Sequence, residues 1–127
     1  MPNLPGDFSS INVRGASILT SGYVAGTVVD LQLKNQVQVL VAFTLGSLTS
    51  MDLKFEYSLD KTTWYQETFD SVSSGTNTES LGIRHFTATG NYQISVPILG
   101  KYFRISAIGN GTVTSSSLQL DVIYGVV

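Results

Sequence analysis

The stretch Val37–Leu45, VQVLVAFTL, decides how the chain is read. Val37, Val39, Val41, Phe43 and Leu45 share one side of an extended backbone, because successive side chains of a strand point to opposite faces. A helix would scatter the same five residues around its circumference. Leu40 and Ala42 make the other side partly apolar too, which predicts a central strand covered on both faces.

The same period of two continues outward in both directions. Upstream, TVVDLQLK sets Val29, Leu31 and Leu33 against Asp30, Gln32 and Lys34. Downstream, LKFEYSL sets Leu53, Phe55, Tyr57 and Leu59 against Lys54, Glu56 and Ser58. NYQISV places Tyr92, Ile94 and Val96 together, YFRISA places Phe103, Ile105 and Ala107 together, and SLQLDVIY places Leu118, Leu120, Val122 and Tyr124 together. Turn chemistry separates these runs: LGSLTS, SLDKTT, TATGN, PILGK and GNGTVTSSS. SVSSGTNTES, Ser71–Ser80, reads as a mobile loop of low complexity. No segment sustains an apolar 3.6-residue stripe over three turns with caps. The pattern predicts about eight strands and no substantial helix. The expected fold is all-β, an antiparallel β-sandwich of jelly-roll or immunoglobulin-like type, without the Cys–Trp–Cys signature of immunoglobulin domains. Two prolines and a glycine mark residues 1–7 as an extended N-terminal arm. Residues 8–127 read as a single sandwich domain.

Composition narrows the function classes. Charged residues make up 13% of the 127 residues, where about a quarter is usual. The surface must therefore rely on Ser, Thr, Asn and Gln, which a partner covers without displacing much charge. A net charge of −2 gives no nucleic-acid footprint. The absence of cysteine excludes disulfides and thiolate metal sites. MPNLPGDFSS has no basic segment followed by an apolar run, and no apolar stretch approaches the roughly 20 residues of a membrane helix. Folding in a cytoplasm is the expectation.

Little in the chain suggests catalysis. His85 is the single histidine, so no multi-histidine metal site can form, and in GIRHFTA it reads as a strand residue beside Ile83. A glycosidase needs two carboxylates facing across a cleft. Glu56 and Glu67 flank one hairpin, but Glu56 occupies the polar side of a regular strand and reads as a solvated charge. No HExxH, GxSxG, P-loop, EF-hand or dinucleotide fingerprint is present. GNGTVTSSS is glycine-rich but opens no helix, so it cradles no phosphate. No loop concentrates three carboxylates for calcium. The chain reads as a non-enzyme without metal or cofactor.

The hairpin FEYSLDKTTWYQET, Phe55–Thr68, gathers the aromatics and contains the single tryptophan. Register directs Tyr57 inward. Asp60 suits an Asx turn. Trp64 and Tyr65 must face opposite ways in a regular strand, with Trp64 expected in the core and Tyr65 outside. The alternative is that Asp60, Trp64, Tyr65 and Gln66 form a sugar-binding platform.

This hairpin, the later NYQISVPILGKYFRISAIGNGTVTSSSLQLDV and the cysteine-free Ser/Thr-rich composition together resemble small β-sandwich structural proteins of tailed-phage virions. The resemblance covers Val37 to Tyr124. It implies a decoration or cement protein of the head, or a neck or tail protein. Such a subunit is localised in the virion, forms a homo-oligomer, a trimer on a capsid, and contacts the major capsid or other virion proteins. Assembly contacts would then fall on the arm (Pro2, Leu4, Pro5, Phe8), on Tyr65, and on the apolar end (Val126, Val127). YSLDKTTW also resembles the Y-S-x-D-G-x-x-W hairpin of discoidin-like carbohydrate-binding sandwiches, which implies a glycan partner instead. Lys61 stands where that pattern has glycine.

Overall fold

The computed structural model describes residues 7–126. Twelve strands and no helix occur among the described residues. One sheet has the order β1 (Asp7–Ser17), β12 (Ser117–Val126), β4 (Gln36–Thr44), β10 (Gly90–Val96), every neighbour antiparallel. The second has the order β2 (Val24–Ala25), β11 (Tyr102–Gly111), β5 (Leu48–Ser58), β6 (Tyr65–Gln66). Two short strands flank it: β3 (Val29–Asp30) pairs with β11, and β9 (Ile83–Phe86) pairs with β5. β7 (Thr68–Ser73) and β8 (Thr76–Leu81) form a separate two-stranded ribbon.

The period-two pattern places the core where expected. Val37, Val39, Val41 and Phe43 of β4, with Leu118, Leu120 and Val122 of β12, meet Leu53, Phe55, Tyr57, Phe103, Ile105 and Ala107 of the other sheet in one buried cluster. Phe55 and Phe103 pack edge to face, with ring centroids 5.5 Å apart. The Tyr57 hydroxyl donates to the Pro97 carbonyl at 2.6 Å, which satisfies the one polar atom this ring carries inward. Burial, and then the Glu67 carboxylate, push the Tyr57 phenol above the ordinary tyrosine range.

β4 is central in its sheet, between β12 and β10. Its outer side is less covered than its sequence implies: Leu40 is half-buried and Ala42 is exposed. Two other apolar residues leave the pattern at turns. Leu33 has φ 63° and is 93% exposed, because the left-handed turn after Leu31 swings it outward. Leu59 follows the end of β5 and is 65% exposed. The strand count also exceeds the expected eight, since short edge strands and the ribbon pair where turns were expected.

The Asp60 turn shows how local chemistry fixes geometry. The Asp60 carboxylate Oδ1 accepts from the Thr62 and Thr63 amides at 2.8 and 2.9 Å. Ser58 Oγ accepts from the Lys61 amide at 2.9 Å and donates to the Asp60 carboxylate at 3.0 Å. Lys61 has φ 65°, the left-handed conformation that a glycine adopts freely. The turn thus keeps a glycine-type backbone with lysine in place, and Lys61 Nζ lies 4.8 Å from the Tyr102 ring centroid.

Candidate functional site

The ribbon end of the sandwich departs most from a sealed globular surface. β6 and β9 share one edge of β5: β9 pairs with Met51–Lys54, β6 with Glu56 and Tyr57. The chain leaves the sheet between them, runs out as β7, turns at Ser74–Gly75 and returns as β8. Ser74 and Gly75 have φ 51° and 78°, the two consecutive positive values of a two-residue hairpin turn matched to strand twist. The segment expected as a mobile loop is therefore the tip and return strand of a β-ribbon. The cue was the Ser-Gly dipeptide between TFDSVS and TNTESL, masked by their polarity.

A clamp fixes the ribbon's root. The Gly82 amide donates to the Glu67 carbonyl at 2.8 Å. A Cβ at Gly82 would stand 2.8 Å from Glu67 Oε1 and 3.0 Å from the Glu67 carbonyl oxygen, so a side chain there would crowd the clamp. Arg84 Nη1 pairs with Glu67 Oε1 at 3.0 Å, and its guanidinium lies 5.0 Å from the Phe55 ring centroid. This ion pair closes the side of the core between β6 and β9.

Beyond the clamp, apolar side chains face solvent. Phe69, Val72 and Leu81 on the ribbon are 55%, 68% and 60% exposed. Leu59, Leu99 and Tyr65 are exposed to a similar degree. These three line an open cleft of about 300 Å³ whose wall includes Gln66, Glu67 and Thr68. Thr68 is in turn paired with Leu81, so the ribbon's root borders the cleft; Leu81 and Val72 share one ribbon face, and Phe69, paired with Ser80, lies on the other. Gln66 Nε2 is buried without a hydrogen-bond partner among the described residues.

The outer side of the second sheet carries a different arrangement. Glu56, expected as a solvated charge, is buried. Its Oε1 accepts from Arg104 Nε at 3.1 Å and from Ser106 Oγ at 2.9 Å. The cause is cross-strand register, which sets Arg104 opposite Glu56 on the same face. Trp64 is not in the core. It is half-buried on this outer face, and the Arg104 guanidinium lies 4.2 Å from its ring centroid. The core was already filled by Phe55, Tyr57 and Phe103, and Trp64 precedes β6 on its outer side. His85 is exposed and its Nδ1 meets Asp52 Oδ1 at 2.5 Å, while Asn110 donates to Asp52 Oδ2 at 3.1 Å.

The structure therefore separates residues that sequence reasoning grouped. Trp64 and Tyr65 face opposite sides of β6, so they form no joint platform. Asp60 is committed to its own turn. Gln66 pairs with Glu56 in register, and Glu67 turns to the other side toward Arg84, so the two glutamates face no common cleft. Tyr65 is 63% exposed, as expected. Phe8 is 48% exposed and pairs with Gly125; Val126 is half-buried at the end of β12, opposite Asp7. Pro2, Leu4, Pro5 and Val127 lie outside the described residues. Leu59, Phe69, Val72, Leu81 and Leu99 were not singled out as candidates. Among the described residues, no group of three or more His, Asp or Glu side chains is placed to hold a metal ion.

No protein-family model and no curated protein matches the sequence. Among solved structures, the chain is similar to the crystal structure of the SPBc2 prophage-derived protein YomS, with a TM-score of 0.52 and 12% identity over 98% of each chain. At that identity the likeness establishes a shared fold across nearly the whole length.

Proposed function

We propose that the chain is a non-enzymatic structural subunit of a tailed-phage particle, an auxiliary protein that stabilises a shell through subunit–subunit contacts. The observation that carries this reading is the gathering of exposed apolar side chains at the ribbon end. Scattered exposed apolar residues are ordinary, but exposed apolar side chains on both faces of a ribbon that borders a cleft lined by Leu59, Tyr65 and Leu99 suit a surface that meets another protein. A protruding ribbon also reaches a neighbour without needing a core of its own. The full-length fold likeness to a prophage-derived protein supports a phage setting, as does the low-charge surface.

In this role the subunit is made in the host cytoplasm, self-associates, and sits in the virion beside the major capsid protein, with no cofactor. Purified protein incubated with phage heads lacking it is expected to co-sediment with them. A Phe69→Ser/Val72→Ser double variant is expected to lose that binding while staying folded. No co-sedimentation with heads, necks or tails would overturn the virion assignment.

The cleft favours one second reading. Tyr65 is exposed and lines the cleft, and an exposed aromatic face suits a saccharide ring. A glycan array would then give binding that Tyr65→Ala abolishes. Trp64 lies on the other side of β6, so its fluorescence is expected to stay unchanged on such binding.

A further inference from the structure

β-Sheet edges need protection from pairing with other chains, and proteins supply it through shortness, charge, proline or bulges. Most edges of this molecule carry one of these. β1 is broken by irregularities between Asn12 and Arg14 and between Arg14 and Ser17, and Arg14 folds onto the carbonyls of Ser17 and Ile18. β2, β3 and β6 are two residues long. β9 has four residues and carries Arg84. The ribbon strands carry Asp70 and Glu79.

β10 has none of these devices. Its sequence GNYQISV contains no charge and no proline, and all seven residues pair with β4 without a register shift. It ends its sheet, and no strand among the described residues lies beyond it. Alternate amides and carbonyls along its length therefore point away from β4. Tyr92 and Ile94 face inward but are only half-buried, in contrast to Val39 and Val41 opposite them.

We propose that β10 is the self-association edge of this protein, pairing antiparallel with β10 of a second copy about a two-fold axis at Gln93. Two four-stranded sheets would join into one of eight strands. The axis sets Tyr92 opposite Ile94 of the second copy, an aromatic against a β-branched side chain, which is a favourable cross-strand pair. It sets Asn91 opposite Ser95 of the second copy. Two-fold pairing about Gln93 sets each side chain of β10 opposite another neutral side chain of the second copy. The self-pairing therefore meets no charge repulsion, and β10 offers no charge by which to select a foreign strand. An isologous interface of this kind closes on itself and leaves the ribbon ends free. The inference rests on the self-association within the proposed function, not on the phage setting.

Two double variants of the full chain test it, both at exposed positions on the outer face of β10. Asn91→Lys/Ser95→Lys opposes lysines at both pairs, whereas Asn91→Lys/Ser95→Glu matches each lysine with a glutamate. Sedimentation velocity is expected to show an associated wild type and an associated Lys/Glu variant. The Lys/Lys variant is expected to bind itself about 100-fold more weakly with unchanged circular dichroism. Undiminished association of the Lys/Lys variant would overturn the edge pairing while leaving self-association standing. Dissociation of both variants would overturn the Gln93 register. A wild type that is monomeric at high micromolar concentration would overturn both the inference and self-association itself. Hydrogen exchange on the wild type gives a variant-free check: β10 amides pointing away from β4 should exchange about tenfold more slowly at high than at low protein concentration. Concentration-independent exchange would overturn the pairing.

Discussion

The β5–β11 ladder and the β7–β8 ribbon are both antiparallel pairs, yet they sit at opposite ends of the molecule's range of order. The ladder pairs Leu48–Ser58 with Tyr102–Gly111 and buries Phe55 and Phe103 completely. The ribbon pairs Thr68–Ser73 with Thr76–Leu81, and Phe69 and Val72 remain mostly exposed. The ribbon's register is unbroken, and the ladder's shifts only at its Asn110–Gly111 end. The difference is a second layer. The ladder has β4 and β12 packed across its inner face and a Glu56–Arg104–Trp64 stack on its outer face. The ribbon has solvent on both sides, and Asp70 stands directly opposite Glu79, a like-charge pair that weakens it. An isolated two-stranded hairpin is marginal in water, so this one depends on its Gly82–Glu67 root and on whatever covers it in use. Pairing makes a strand, and burial on at least one face makes it stable.

Substitutions can break or sharpen this contrast, and the largest effect is expected in the ladder. Phe103→Ala should cost about 3–5 kcal/mol in chemical denaturation, through lost burial and the cavity left against Phe55 and Tyr57. A loss under 1 kcal/mol would mean that the ladder is not the centre of the core. Glu56→Ala should cost about 2 kcal/mol, by leaving Arg104 and Ser106 without their acceptor. That is less than for a fully buried pair, because the Arg104 side chain is 26% exposed. Trp64→Ala should cost about 1 kcal/mol, the scale of a partly exposed cation–π contact with its packing. A cost of 3 kcal/mol or more would place that ring in the core after all. In the ribbon, Phe69→Ser and Val72→Ser should each stay within about 0.5 kcal/mol of wild type. Ribbon amides should also exchange far faster than those of β5 and β11.

The smallest effect concerns the Asp60 turn. Hydrogen bonds from the Thr63 and Thr62 amides, then the Ser58 hydroxyl, hold the Asp60 carboxyl below its ordinary pKa. The folded-state value is depressed, so this contribution is present above the unfolded carboxylate value of about 4 and fades as pH falls through the folded value. Asp60→Asn should flatten that acid limb, measured as denaturation midpoint against pH. An unchanged pH profile would show that the turn does not depend on the charge.

Legibility followed burial here too. Alternation identified the inward residues Val37 through Phe43, Leu53 through Tyr57, Phe103 through Ala107 and Leu118 through Val122, but not Val13, Leu48 or Met51, which are also buried in the core. It failed at Leu33 and Leu59, where a turn ends the strand and the period carries no information. It also failed at Trp64 and Glu56, because alternation assigns a side chain to a face without saying what covers that face. The candidate surface was barely legible. Tyr65 was found because strand parity forces it away from Trp64. Phe69, Val72 and Leu81 stand in a polar Ser/Thr-rich run with no periodic apolar signal, so only the Ser-Gly turn hinted at a ribbon.

The sequence by itself determined the all-β class, the antiparallel alternation, most of the core and the chemistry of the Asp60 turn. These depend on side-chain period and on interactions a few residues apart, which are written locally in the chain. Tertiary structure decided which strands are neighbours, that β10 is an open edge while β1 is a bulged one, and that Glu56 meets Arg104 from a strand nearly fifty residues away. It also decided that the ribbon stands clear of the sandwich. Each of these is a relation between distant segments, set by how two sheets share one core, and no local pattern encodes it.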